Sequence, residues 1–143
     1  MKRTTVNVLR YQVPAVLWAA LIFALSSIPS VSLPEFGWLA SDKMAHVGVF
    51  LVFAGLSYRA LRHQQRFPLL SRRAFIFTIL FTAVYGAMDE LHQYFVPGRD
   101  SDPVDWIADV AGSVVLVAAI WMWQRISSPS TPAMENQNVS DKE

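Results

Sequence analysis

Val114-Val115-Leu116-Val117-Ala118-Ala119-Ile120-Trp121-Met122-Trp123 is apolar on every side of a helix, and so is Phe75-Ile76-Phe77-Thr78-Ile79-Leu80-Phe81. A helix on the surface of a soluble bundle shows a polar face every 3.6 residues. These stretches have none, so their surroundings must be apolar. Working outward, charge is missing from four windows: no Asp, Glu, Lys or Arg occurs between Arg10 and Glu35, Lys43 and Arg59, Arg73 and Asp89, or Asp109 and Arg125. A spanning helix needs about 20 mostly apolar residues to cross a ~30 Å hydrocarbon core. The first window suffices, with an apolar run over Val13–Ile28. The other three hold 15 residues each, about 22 Å of helix. They span when extended through their flanking charges, to Asp42–Leu61, Ala74–Val96 and Pro103–Gln124. The predicted fold class is all-α, a four-helix transmembrane bundle.

Composition agrees. The chain has 143 residues, 53% hydrophobic and only 16% charged, and a mean hydropathy of +0.31. Soluble domains carry roughly 25% charge. A net charge of +1 gives no basic surface for nucleic acid, so the expected partners are membrane lipids. With no cysteine, disulfides, thiolate metal sites and a cysteine nucleophile are excluded.

Lys and Arg set the orientation. Lys2, Arg3 and Arg10 precede span one; Arg59, Arg62, Arg66, Arg72 and Arg73 lie between spans two and three; Arg125 follows span four. The other two links carry Lys43 and Arg99 against Glu35, Asp42, Asp100 and Asp102. Both termini are therefore expected in the cytoplasm, as is the middle link. Residues 1–12 form a basic arm, 13–124 the membrane domain, and 125–143 a polar tail rich in Ser, Pro and Asn that is expected to be disordered. Span one is too long for a signal-peptide core, and Ser-Ser-Ile-Pro-Ser lacks a small-x-small cleavage site. Trp38, Tyr94 and Trp106 are expected in an outer aromatic belt, Tyr58, Trp121 and Trp123 in an inner one.

Spans two, three and four keep their ionisable residues at the outward end. Span two opens Asp42-Lys43-Met44-Ala45-His46, span three closes Asp89-Glu90-Leu91-His92-Gln93, and span four opens Asp102-Pro103-Val104-Asp105 and continues to Asp109. At 1.5 Å per residue, His46, Asp89 and Asp109 lie about 6–10 Å below the helix ends. Ionisable groups at such depth face a bundle interior or a wet cavity and mark sites. Asp42 and His46, Asp89 and Gln93, and Asp105 and Asp109 are i,i+4 pairs, so each helix presents one polar stripe. Some of these residues have plainer roles. Asp102 before Pro103 fits a helix cap, and Asp105 and Asp42 can cap as well. Lys43 can snorkel, Arg99 can be a loop charge, and His63 is solvated in the basic link. Capping does not explain His46, Asp89, Glu90, Gln93 or Asp109, which lie inside helices.

The set Asp42-Lys43-x-x-His46, Asp89-Glu90-x-x-Gln93, Gly98-Arg99, Asp105 and Gly112, with Ser26-Ser27-Ile28-Pro29 closing span one, resembles the VanZ-like family of bacterial membrane proteins over about residues 13–124. That family usually has Asn where Asp109 stands. Its founding member is associated with low-level resistance to the glycopeptide teicoplanin, so the resemblance implies a role in the bacterial cell envelope; at the plasma membrane, the Lys and Arg distribution leads us to expect the site to face outward.

Three readings follow. In the first, the outward pocket binds an envelope lipid, a peptidoglycan precursor, or a glycopeptide or lipopeptide ligand. Lys43 and Arg99 would contact phosphate or carboxylate groups, with His92, Gln93, Asp105 and Asp109 as further ligand-binding residues. In the second, the protein is a hydrolase or transferase. His46 is the general base, oriented by Asp42 or Asp89, with Glu90 as acid. A divalent metal on His46, His92 and carboxylates is one form of this reading, although His-Glu-x-x-His is absent. In the third, the polar cluster only holds the bundle together. A proton relay finds no continuous path, because the inner halves of the spans lack ionisable residues.

Overall fold

The computed structural model describes residues 6–29, 42–99 and 101–127, with the side chain of Asp42 left aside. A π-helical turn at Val8–Gln12 runs into α1 (Val13–Ser26); α2 (Asp42–His63), the short α3 (Pro68–Arg72), α4 (Ala74–Gln93) and α5 (Pro103–Ser127) follow. The expected outer-belt Trp38 and the polar tail from 128 onward lie outside the described residues. Four helices are long and apolar enough to cross a membrane: Val8–Ser26, Lys43–His63, Ala74–Gln93 and Pro103–Ser127. No strand occurs among the described residues. The chain is an all-helical membrane protein.

Its surface is apolar where a soluble protein's would be charged. Leu17, Phe23, Leu80, Val84, Val115, Met122 and Trp123 all point outward and are exposed. On α4 and α5 the residues facing inward are mostly small or polar. On α4 the buried stripe is Ala74, Thr78, Thr82 and Gly86, continuing into Asp89, Glu90 and Gln93; on α5 it is Asp105, Ala108, Asp109, Gly112, Ser113 and Val117. Between helices in lipid no water is expelled, so small side chains that let backbones approach replace bulky ones. Thr78 and Thr82 return their hydroxyls to the carbonyls of Ala74 and Thr78, at 2.7 and 2.9 Å, which removes their polarity from the interface.

The tightest approach joins α2 and α5. A Cβ at Gly112 would fall inside the carbonyl oxygen of Val47, a backbone atom that cannot move aside. The large core side chains gather elsewhere. Phe50 and Phe53 meet edge-on at 5.8 Å, Tyr85 joins Phe53 at 4.9 Å, and Ile22 of α1 caps the cluster.

α1 is attached largely by directional bonds. Trp18 Nε1 donates to the Val49 carbonyl at 3.1 Å, and the Tyr85 hydroxyl donates to the Ala19 carbonyl at 2.6 Å. At its N-terminal end Tyr11 stacks on His63, the last residue of α2, with centroids 4.1 Å apart. At the same end Gln124 of α5 donates to the Tyr58 hydroxyl of α2 at 2.9 Å. The start of span one, the α2–α4 link and the end of α5 therefore share one end of the bundle, together with Arg10, Arg59, Arg62, Arg66, Arg72, Arg73 and Arg125. The described carboxylates lie at the other.

Candidate functional site

That other end begins where α4 stops. Tyr94 and Phe95 follow Gln93, and a turn over Val96-Pro97-Gly98-Arg99 reverses the chain with a 3.1 Å bond from the Arg99 N–H to the Val96 carbonyl. Pro at the second position and Gly98 at φ 75° make this a type II turn, a place only glycine occupies without strain. The reversal carries Arg99 beneath the C-terminus of α1. Its guanidinium donates to the carbonyls of Leu25 (3.3 Å) and Ile28 (3.2 Å) and to Gln93 Oε1 (3.4 Å). A cation there satisfies orphan carbonyls and offsets the negative end of the helix dipole.

Two polar groups form around this end. In the first, Asp89 Oδ2 accepts from the Ser26 hydroxyl at 2.8 Å and from the Gln93 amide at 3.0 Å, all three buried. His92 faces α1, with Nε2 2.9 Å from the Ser27 hydroxyl and its ring stacked on Phe23 at 4.5 Å.

In the second group, α5 meets α2 and α4. His46 Nδ1 lies 2.9 Å from Asp109 Oδ1, and the Asp109 side chain is completely buried. Lys43 Nζ bridges Asp102 Oδ2 at 2.9 Å and Asp105 Oδ1 at 2.8 Å. Asp102 Oδ1 also accepts the Val104 N–H at 2.8 Å, the N-cap of α5. The Lys43 ammonium and that cap bond hold the Asp102 carboxyl below its ordinary range. Glu90 reaches across from α4: its Oε2 accepts the Asp102 backbone N–H at 3.0 Å and the Ser101 hydroxyl at 3.4 Å.

A cavity of about 280 Å³ opens between α1, α2 and α4. Polar Ser26, His46, Asp89, Gln93 and Arg99 line it together with apolar Ile22, Leu25, Ala45, Val49 and Phe50. A larger hollow of about 510 Å³ at the basic end is lined by the start of span one, the end of α2 and the Gln64–Phe67 link, with no carboxylate in its lining.

A family model described as VanZ/LLP1 matches residues 8–124, which takes in all four spans and both polar groups. The chain belongs to the VanZ/LLP1 family. No match was found among curated proteins or among solved structures.

Within this VanZ/LLP1 domain the structure sorts the site residues that the sequence singled out. His46, Asp89, Gln93 and Arg99 share the cavity. Glu90, Asp105 and Asp109 are buried at the α4–α5 contact. Lys43 is engaged with two carboxylates rather than extended alone to headgroups. His92 lies outside the cavity lining, on the Phe23 side of α1. Asp42 opens α2, and its side chain lies outside the described residues. His46 Nδ1 pairs with Asp109, a carboxylate that the sequence does not set beside it; the orienting groups named from sequence are Asp42 and Asp89. Ser26 is the residue whose weight sequence reasoning underestimated. A serine at a helix end is commonly a cap, and only its i,i+4 distance from Ile22 on the buried face of α1 signals an inward hydroxyl.

Proposed function

We propose that this VanZ/LLP1 protein sits in the bacterial plasma membrane with both termini in the cytoplasm, and that its polar end faces outward and binds the headgroup of an envelope amphiphile. The ligand class comprises an envelope lipid, a lipid-linked peptidoglycan precursor, or a glycopeptide or lipopeptide antibiotic such as teicoplanin. The observation that carries this reading is the cavity of about 280 Å³ at a span end, lined by both polar and apolar side chains. A headgroup meets hydrogen-bonding groups on Ser26, His46 and Gln93 and the guanidinium of Arg99, while the start of an acyl or prenyl chain meets Ile22, Leu25 and Val49. The bias of arginines to the opposite end supports the orientation.

The test is native mass spectrometry of protein extracted in mild detergent, comparing wild type with Ala45→Phe, which fills the cavity from a lining position. Wild type should retain a lipid or precursor adduct that Ala45→Phe and His46→Ala lose while remaining folded. Equal retention by all three proteins overturns the reading.

One geometric fact favours a second reading. The His46–Asp109 pair has the form of a general base held by a buried carboxylate, with His46 also lining the cavity. On this reading the protein is a hydrolase or transferase of the same ligand class. Turnover of a retained lipid by wild type, abolished in Asp109→Asn, would favour it over binding alone.

A further inference from the structure

Behind His46 the structure places two carboxylates from different helices with one oxygen each left over. Asp109 Oδ1 is taken by His46, but Asp109 Oδ2 is fully buried and has no hydrogen-bond partner among the described residues. Glu90 Oε2 is taken by the α5 N-cap and Ser101, but Glu90 Oε1 is likewise buried and unpartnered. Glu90 is 6% exposed and Asp109 0%. An isolated buried carboxylate oxygen is among the costlier features a fold can carry, and it is costlier in a membrane. The local cations do not answer it. Lys43 is committed to Asp102 and Asp105, and Arg99 to carbonyls and Gln93.

Both unpartnered oxygens belong to one cluster. One ligand atom each from His46, Glu90 and Asp109 lies within 4.8 Å of the other two. Ligands about 2.1 Å from a common ion are separated by at most ~4.2 Å, so small side-chain shifts close the set. Gly86, one turn before Glu90 on α4, keeps the place open, because a Cβ there would lie 2.8 Å from Asp109 Oδ2.

We infer that His46, Glu90 and Asp109 form a divalent-cation site with one imidazole and two carboxylate ligands. The donor set suits Mn²⁺, Fe²⁺ or Zn²⁺, and two hard oxygens with one nitrogen disfavour Cu⁺. Two ionised carboxylates and a neutral imidazole carry two negative charges, which a divalent ion neutralises, and among the described residues Lys43 and Arg99 are both held elsewhere. Three protein ligands leave coordination positions for water or for an oxygen donor of a ligand. His46 is the ligand that faces the cavity, and the carboxylates stand behind it. The inference does not depend on the amphiphile reading, since metal content is measured without lipid.

The test uses the full chain in detergent micelles, stripped with EDTA and dialysed against Mn²⁺ or Zn²⁺. Elemental analysis should find about one ion per chain, and added ion should raise the thermal midpoint of the stripped protein. Glu90→Gln and Asp109→Asn should bind the ion more than about tenfold weaker, while Ser71→Ala, at the opposite end of the bundle, should bind as wild type. Should the variants fail to fold, electron paramagnetic resonance of Mn²⁺ on wild type decides: a bound signal displaced by one equivalent of Zn²⁺ supports the site. Folded wild type that binds neither ion, or binds both equally well after the Glu90 and Asp109 substitutions, overturns it.

Discussion

At one end of the bundle, Arg10 and Arg59 lie over the face of Tyr11, 5.4 and 5.7 Å from its centroid, and Arg62 shares two exposed hydrogen bonds with Ser71. At the other, Asp89, Glu90, Asp105 and Asp109 are buried and held by short bonds from α1, the α5 N-cap and α2. The basic end keeps its charges on the exposed surface, against a ring face or a backbone carbonyl. The acidic end keeps its charges inside the packing, where each oxygen must be accounted for. A membrane protein needs only the first arrangement to be inserted in the right direction. The second is costly, and in a bundle of this size it points to a site.

The largest effect expected from this contrast is steric. Gly112→Ala places a methyl group against the Val47 carbonyl oxygen, so it should cost about 3 kcal/mol or more in detergent unfolding, the upper part of the overpacking range. Gly55→Ala meets only the Leu116 Cδ2 atom at 3.0 Å, the end of a side chain that can turn, and should cost less than about 1 kcal/mol. Equal losses would mean that the two halves are equally tight.

A smaller effect separates the polar contacts. Asp89→Ala strands the Ser26 hydroxyl and the Gln93 amide in buried surroundings, and should cost about 1–3 kcal/mol. Ser71→Ala removes an exposed bond at the basic end and should stay within about 0.5 kcal/mol. If both prove neutral, the acidic end tolerates unpaired groups and the contrast fails.

The smallest effect is in pH. Asp102 is held below its ordinary value of 3.8 by Lys43. A carboxyl with a depressed folded value contributes stability that is complete above the unfolded value and is lost as pH falls through the folded one. Wild type should therefore lose its margin over Asp102→Asn only as pH drops below about 4, and pairing at an exposed position keeps that margin small. A margin unchanged at pH 3 would show that the Lys43 bridge does not act through charge.

Much of the fold was legible because a membrane leaves a plain signal: charge is absent wherever lipid touches the chain. The gaps between Arg73 and Asp89 and between Asp109 and Arg125 correspond to the lipid-crossing parts of α4 and α5. The clustering of His46, Asp89 and Asp109 at one level also followed from their depth in helices of known rise. Partner choice did not follow. Asp89 and Glu90 are neighbours in sequence but about 100° apart on the helix, so one serves α1 and the other α5. No spacing rule reports which helix stands on which side. The task of Arg99 was hidden for a similar reason. It depends on a turn at Gly98 that brings a loop beneath a helix end set 71 residues earlier.

The attachment of α1 has a consequence for how the molecule is made. Ser26 bonds to a residue 63 positions later, and the carbonyls of Ile28 and Leu25 bond to one 71 and 74 positions later. During synthesis the first span leaves the ribosome long before these partners exist. It must enter the bilayer on its own apolarity, with its lower hydroxyl and its terminal carbonyls still facing headgroups and water. The cavity wall that it supplies is thus finished only when the turn after α4 has been made, and a chain truncated before Arg99 would carry α1, α2 and α4 whole yet lack the clasp that closes the site.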